Sequence, residues 1–131
     1  MIRVKIVPND IKTVAKVVLI DKDDRILMLK RSDYVDKFAG EWDLPGGHLK
    51  KNESLFDGLC REVKEETGLS VENPKIIEIQ SNMHFFYANY TPKAIELSHE
   101  HTDFKFFDKK SLDEGEKFQK IALKALEMNN D

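Results

Sequence analysis

The chain has 131 residues, 21 of them Lys or Arg and 24 Asp or Glu for a formal net charge of −3, and it is 40% hydrophobic and 34% charged. That size fits one domain, residues 1–131, able to bury roughly two-thirds of its unfolded surface, and the acidic balance argues against a general nucleic-acid grip while leaving room for a phosphorylated small molecule screened by cations. A lone cysteine, Cys60, excludes a disulfide framework within the chain, and with nothing resembling a signal peptide or a spanning run of about 18 apolar residues the expected setting is the cytoplasm, with no membrane partner.

Residues 1–10 form a short apolar-alternating piece ending at Pro8-Asn9-Asp10. Residues 13–20 (TVAKVVLI) read as a buried strand, residues 21–24 (DKDD) as a turn and residues 25–30 (RILMLK) as a second strand, a pattern that predicts a hairpin. Lys30 and Arg31 stand at its end, ahead of a polar loop at residues 32–40; a phosphate contact and a solvated strand end fit them equally. Pro45-Gly46-Gly47 predicts a tight turn whose backbone can approach an ion or phosphate with no side chain in the way.

A helix follows, with Asn52 as its expected cap, Glu53 and Asp57 suited to its positive end and Gly68 as its stop. At about 100° per residue, Phe56, Leu59, Cys60 and Val63 share one flank, and Glu62, Glu65 and Glu66 gather beside it within roughly 100° of arc. Beyond it, residues 75–80 and 83–90 read as strands around Ser81-Asn82. Residues 95–97 resume a strand pattern and residues 104–107 give a further short one. Residues 112–128 carry apolar side chains at helical spacing, from Leu112 through Phe118, Ile121, Ala122, Ala125 and Leu126. Strands on both sides of a central helix, with a second helix at the end, predict an α/β fold with a mixed sheet between helical layers.

Three carboxylates on one helical turn repel one another, so surface stability alone does not favour Glu62, Glu65 and Glu66 together. A hard divalent cation removes that penalty, because Mg²⁺, Ca²⁺ and Mn²⁺ prefer oxygen ligands. Taken singly, each glutamate is better read as a solvated helix face, and Arg61–Glu65 at i,i+4 as an ordinary ion pair. Only the full set reverses this.

Written as a pattern, the segment is Gly47-x5-Glu53-x7-Arg61-Glu62-Val63-x-Glu65-Glu66-x-Gly68-Leu69. This resembles the Nudix box at every defined position. Fixed residues at typical usage put a chance match below roughly one in 10⁷ per starting position, so the pattern is not a coincidence of composition. Residues 40–45 (GEWDLP) are similar to the family's usual lead-in. The resemblance implies an α/β/α sandwich with the box as loop-helix-loop, and Mg²⁺, with Mn²⁺ as substitute, as cofactor. It also implies Glu65, Glu66 and the Gly46 carbonyl as metal ligands, Glu62 as ligand or general base, and an Arg61–Glu53 charge pair as support. Residues 98–106 (SHEHTDFKF) resemble the acidic loop of many members, which makes Glu100 a fourth carboxylate, as ligand or base. His99 and His101 beside it, at i,i+2 and without cysteines, do not make a zinc signature. Tyr34, Phe38, Trp42, Phe85, Phe86 and Tyr87 either stack a base or anchor the core.

The activity implied is hydrolysis of the phosphoanhydride in a nucleoside diphosphate linked to another group. The short run before Thr13 favours a nucleoside triphosphate as substrate. ADP-ribose, a nucleotide sugar or a dinucleoside polyphosphate is the alternative, as is a nucleotide-binding sensor without useful turnover. Monomer and homodimer both remain open.

Overall fold

The computed structural model describes residues 12–33 and 38–130, so the apolar piece at residues 1–10 and the ring of Tyr34 lie outside the described residues. Strand β1 (Val14–Ile20) is buried along its whole length. Its alternation feeds two cores: Ala15, Val17 and Leu19 point to one side, Val18 and Ile20 to the other. Strand β2 (Ile26–Arg31) divides in the same way, with Leu27 and Leu29 opposed to Ile26 and Met28. Two short strands follow, β3 (Trp42–Asp43) and β4 (Gly46–His48), and then helix α1 (Leu55–Thr67). The hairpin β5 (Lys75–Gln80) and β6 (Met83–Asn89) leads to β7 (His101–Phe107), a 3-10 turn at Lys109–Ser111 and helix α2 (Lys117–Asn129).

The seven strands form one mixed sheet in the order β3-β2-β1-β6-β5, with β4 added to β1 and β7 to β2. β1 and β6 run parallel in register from Val14↔Met83 to Ile20↔Asn89; the other pairs are antiparallel. Leu59 and Val63 of α1 close the first core, and Ile121, Ala122, Ala125 and Leu126 of α2 close the second. The result is the expected α/β/α sandwich. Among the described residues no helix is long and apolar enough to cross a membrane.

Several local expectations need correction. The predicted hairpin pairs only at Ile20↔Ile26, after which the two strands part. Residues 42–48 enter the fork: β3 bonds β2 through Leu29↔Asp43 and Lys30↔Trp42, and β4 bonds β1 through Val14↔His48, Ala15↔Gly47 and Lys16↔Gly46. The supposed turn at Gly46-Gly47 is therefore sheet. Ser54, not Asn52, caps α1 by accepting from the Asp57 N–H at 3.1 Å, while Asn52 takes a left-handed φ of 66° in the preceding turn. Phe56 is 49% exposed instead of lying on the buried flank. Residues 95–97 form no strand; their backbone follows α1, with Glu96 N–H donating to Thr67 O. The last helix begins at Lys117, because the Glu116 side chain caps Gln119 N–H and residues 113–116 make a turn.

Candidate active site

The fork between β1 and β2 delivers Gly46 and Gly47 alongside the acidic face of α1. Gly46 has φ +127°, and a Cβ there would run into the Ala15 carbonyl of the neighbouring strand. At Gly47 a Cβ would stand 2.6 Å from a carboxylate oxygen of Glu62. The two glycines thus let the strand backbone press against β1 on one side and the helix acids on the other. Glu66 crosses this seam, accepting the Gly46 N–H at 2.7 Å, and is only 5% exposed.

Arg61 organises the outer part. Its guanidinium donates to Glu53 at 2.8 and 3.1 Å, to Glu65 at 3.0 Å, to Glu62 at 3.3 Å and to the His48 carbonyl at 3.0 Å. The expected Arg61–Glu53 pair is present, and the Arg61–Glu65 pair belongs to the same network. The Arg61 bond brings Glu53 down to about 2, aided by the Lys50 N–H. Burial pushes Glu66 up to about 8, against the charge of Lys16 and the Gly46 N–H, with Asp43 and Glu62 adding repulsion. Burial also raises Glu62, which feels Glu65 and Glu100 as further negative neighbours.

Gly46, Glu62, Glu65, Glu66 and Glu100 all line one cleft of about 640 Å³. They are not preassembled as a coordination shell: among the described residues, no group of three or more His, Cys, Asp or Glu side chains stands ready to hold an ion. Arg61 draws Glu65 and Glu62 toward itself while Glu66 bonds backbone. The donor chemistry nevertheless fits a hard divalent cation, since four carboxylates and the backbone carbonyl of Gly46 at one cleft offer oxygen only. A second cleft of about 690 Å³, between the β1–β2 turn and α2, is also lined by four carboxylates, Asp23, Asp24, Asp108 and Glu127, but Lys109 and Lys110 stand among them and no glycine-led strand reaches it.

Two residues outside the signature are central. Lys16, buried at 7% exposure, donates to Asp43 Oδ1 at 2.9 Å, to Leu44 O at 3.1 Å and to Gly46 O at 3.3 Å. Asp43 Oδ2 in turn meets Arg31 at 3.2 Å and His101 Nε2 at 3.3 Å. Burial opposes ionisation of Asp43, but the Lys16 charge and the bonds from His101 and Lys16 prevail and hold it at about 2. A lysine inside the apolar run TVAKVVLI was the available signal, because a buried ammonium requires acceptors; nothing in the sequence says which. His101 is thus committed to Asp43 and turned into the core, away from exposed His99. Of Lys30 and Arg31, only Arg31 lines the cleft. Among the aromatics, Phe38, Trp42 and Phe118 border it, whereas Phe85 is fully buried.

The structure is thus a mixed sheet between two helices, with a glycine-led strand beside an arginine-braced row of glutamates. The NUDIX domain family model matches residues 11–126. The chain belongs to the Nudix family. It is 38% identical over 65 residues to a MutT-like protein of Streptomyces ambofaciens, covering 50% of this chain and 39% of that protein. Over 64 residues it is 36% identical to an ADP-ribose pyrophosphatase of Methanocaldococcus jannaschii, covering 49% and 37%. The matched segments thus span less than two-fifths of these relatives' lengths. The crystal structure of a MutT protein from Methanosarcina mazei Go1 superposes with a TM-score of 0.73 at 25% identity, covering 92% of this chain and 95% of that one.

Proposed function

We propose that this chain is a divalent-cation-dependent hydrolase that cleaves the phosphoanhydride of a nucleoside diphosphate linked to another group, a nucleoside triphosphate being the first candidate. One observation carries the reading: Gly46, Glu62, Glu65, Glu66 and Glu100 line a single cleft that Phe38, Trp42, Met83 and Phe118 also line. The acids suit cation and phosphates, and the apolar side chains suit a base; the volume is that of a typical small-ligand site. The preferred ion is Mg²⁺, with Mn²⁺ as a substitute.

Gly46 O, Glu62, Glu65 and Glu66 would hold the ion, with Glu100 as a further oxygen donor. Bound there, it supplies neutralisation of phosphate oxygens and lowers the cost of bringing water to an anionic phosphorus. The protein's own groups do the remainder. Arg61 keeps Glu53, Glu62 and Glu65 from separating, Arg31 brings positive charge to the same cleft, and Glu62 or Glu100 takes the proton of the attacking water.

Glu66→Gln tests the assignment: turnover falls by about 10²-fold or more while the fold persists. Normal turnover in that variant removes the role. Substrate class is decided by a panel of nucleoside triphosphates, ADP-ribose, nucleotide sugars and dinucleoside polyphosphates with Mg²⁺ or Mn²⁺. Binding across that panel without product would identify a nucleotide sensor instead. Glu100→Gln compared with Glu62→Gln separates proton acceptor from ligand, because loss of the acceptor spares Mn²⁺ affinity.

A further inference from the structure

Lys16 is the only charged residue of β1, and its ammonium hydrogens all find acceptors on residues 43–46. One acceptor is the Gly46 carbonyl, the same oxygen assigned above to a metal. The Lys16 charge also reaches the Glu66 carboxyl across the seam. A monovalent cation belonging to the protein thus already contacts or faces two of the ligands. The Phe118 ring covers it at 5.7 Å, and Asp43, anchored by Arg31 and His101, holds it at 2.9 Å, closer than the Gly46 carbonyl at 3.3 Å.

We propose that Lys16 is the built-in counter-ion of the metal site: its ammonium competes with a divalent cation for the Gly46 carbonyl and the field of Glu66, and Asp43 sets the strength of that competition by holding the ammonium back. This rests on the assignment of Gly46 and Glu66 as metal ligands. A purely structural Lys16–Asp43 pair makes a different prediction, since loss of either partner would loosen residues 42–48 and weaken ion binding in both variants. Competition gives opposite signs.

The test is Mn²⁺ binding without substrate, read from the electron paramagnetic resonance of free Mn²⁺ at about pH 8. Two charges a few ångströms apart at an effective dielectric of about 20 or higher interact strongly enough for Lys16→Met to bind Mn²⁺ about tenfold tighter and Asp43→Asn about tenfold weaker. Lys117→Met, at the rim of the same cleft, removes an equal charge without touching the carbonyl and shifts the Kd by less than about twofold. Weaker binding in both Lys16→Met and Asp43→Asn, no change in either, or an equal effect of Lys117→Met overturns the proposal. Should Lys16→Met fail to fold, the Lys16 ¹⁵Nζ resonance of the unaltered protein decides: it moves on saturation with Mg²⁺, and a resonance that stays in place overturns the proposal. An unaltered protein that takes up no Mn²⁺ would instead remove the ligand assignment beneath it.

Discussion

At the scale of single residues, Arg61 and Lys16 each brace groups around the cleft, and they differ in how visible they are in the sequence. Arg61 is legible because its partners are local: Glu53, Glu62 and Glu65 lie within one signature, and the pair with Glu53 is present at 2.8 Å. Lys16 is not legible, since Asp43 lies 27 residues away and reaches it only because β2 and β1 part. Arg61→Lys keeps the charge but loses the planar fork that serves Glu53 and His48 together, so kcat should fall about tenfold to a hundredfold with helicity unchanged by circular dichroism. Asp43 makes a pH prediction. Its folded pKa of about 2 lies below the ordinary 3.8, so the stabilisation it brings is complete above pH 3.8 and is lost as the pH falls toward 2. The amount is on the order of 2 kcal/mol. Urea unfolding from about pH 5 downward should show the stability gap between the unaltered protein and Asp43→Asn closing by that amount in this window.

At the scale of elements, the strands and helices whose period matches their burial were predictable, and those created by long-range pairing were not. β1, β2, β5 and β6 follow apolar runs in the sequence, and α1 follows the Leu59–Val63 spacing to its stop at Gly68, which takes φ 77° as a left-handed cap. β3 and β4 have no such run; Trp42–Asp43 and Gly46–His48 are strands only because the fork gives them partners. The glycines of β4 therefore carry a packing role that the sequence presents as a turn. Gly46→Ala forces a side chain into the Ala15 carbonyl at a φ suited only to glycine and should cost roughly 3 kcal/mol or more in chemical denaturation. Gly68→Ala, where an added Cβ meets only Glu96 Cβ at an ordinary 3.9 Å, should cost only about 1 kcal/mol from the same left-handed constraint. Leu59→Ala empties a fully buried position between α1 and the sheet and should cost about 2–5 kcal/mol.

For the whole molecule, the sheet serves as a wall with a core on each face, and the cleft lined by Gly46 and the α1 glutamates opens where β1 and β2 separate. The carboxylates of α1 come from one side of that wall and Phe118 of α2 from the other, so the cleft joins groups that no single element holds. The acids and glycines of this arrangement were legible as a motif. Of its apolar lining, Phe38 and Trp42 were legible as candidates, whereas Met83 and Phe118 join it only through the topology. The central claim is that the glycine-led strand and the glutamates after it hold a divalent cation that makes a phosphoanhydride open to water. It is tested most directly by anomalous diffraction from crystals of the protein soaked in Mn²⁺. The account predicts a peak at about 2.0–2.3 Å from the Gly46 carbonyl and from carboxylate oxygens among Glu62, Glu65 and Glu66; a fully bound ion whose peak lies away from those oxygens would contradict it.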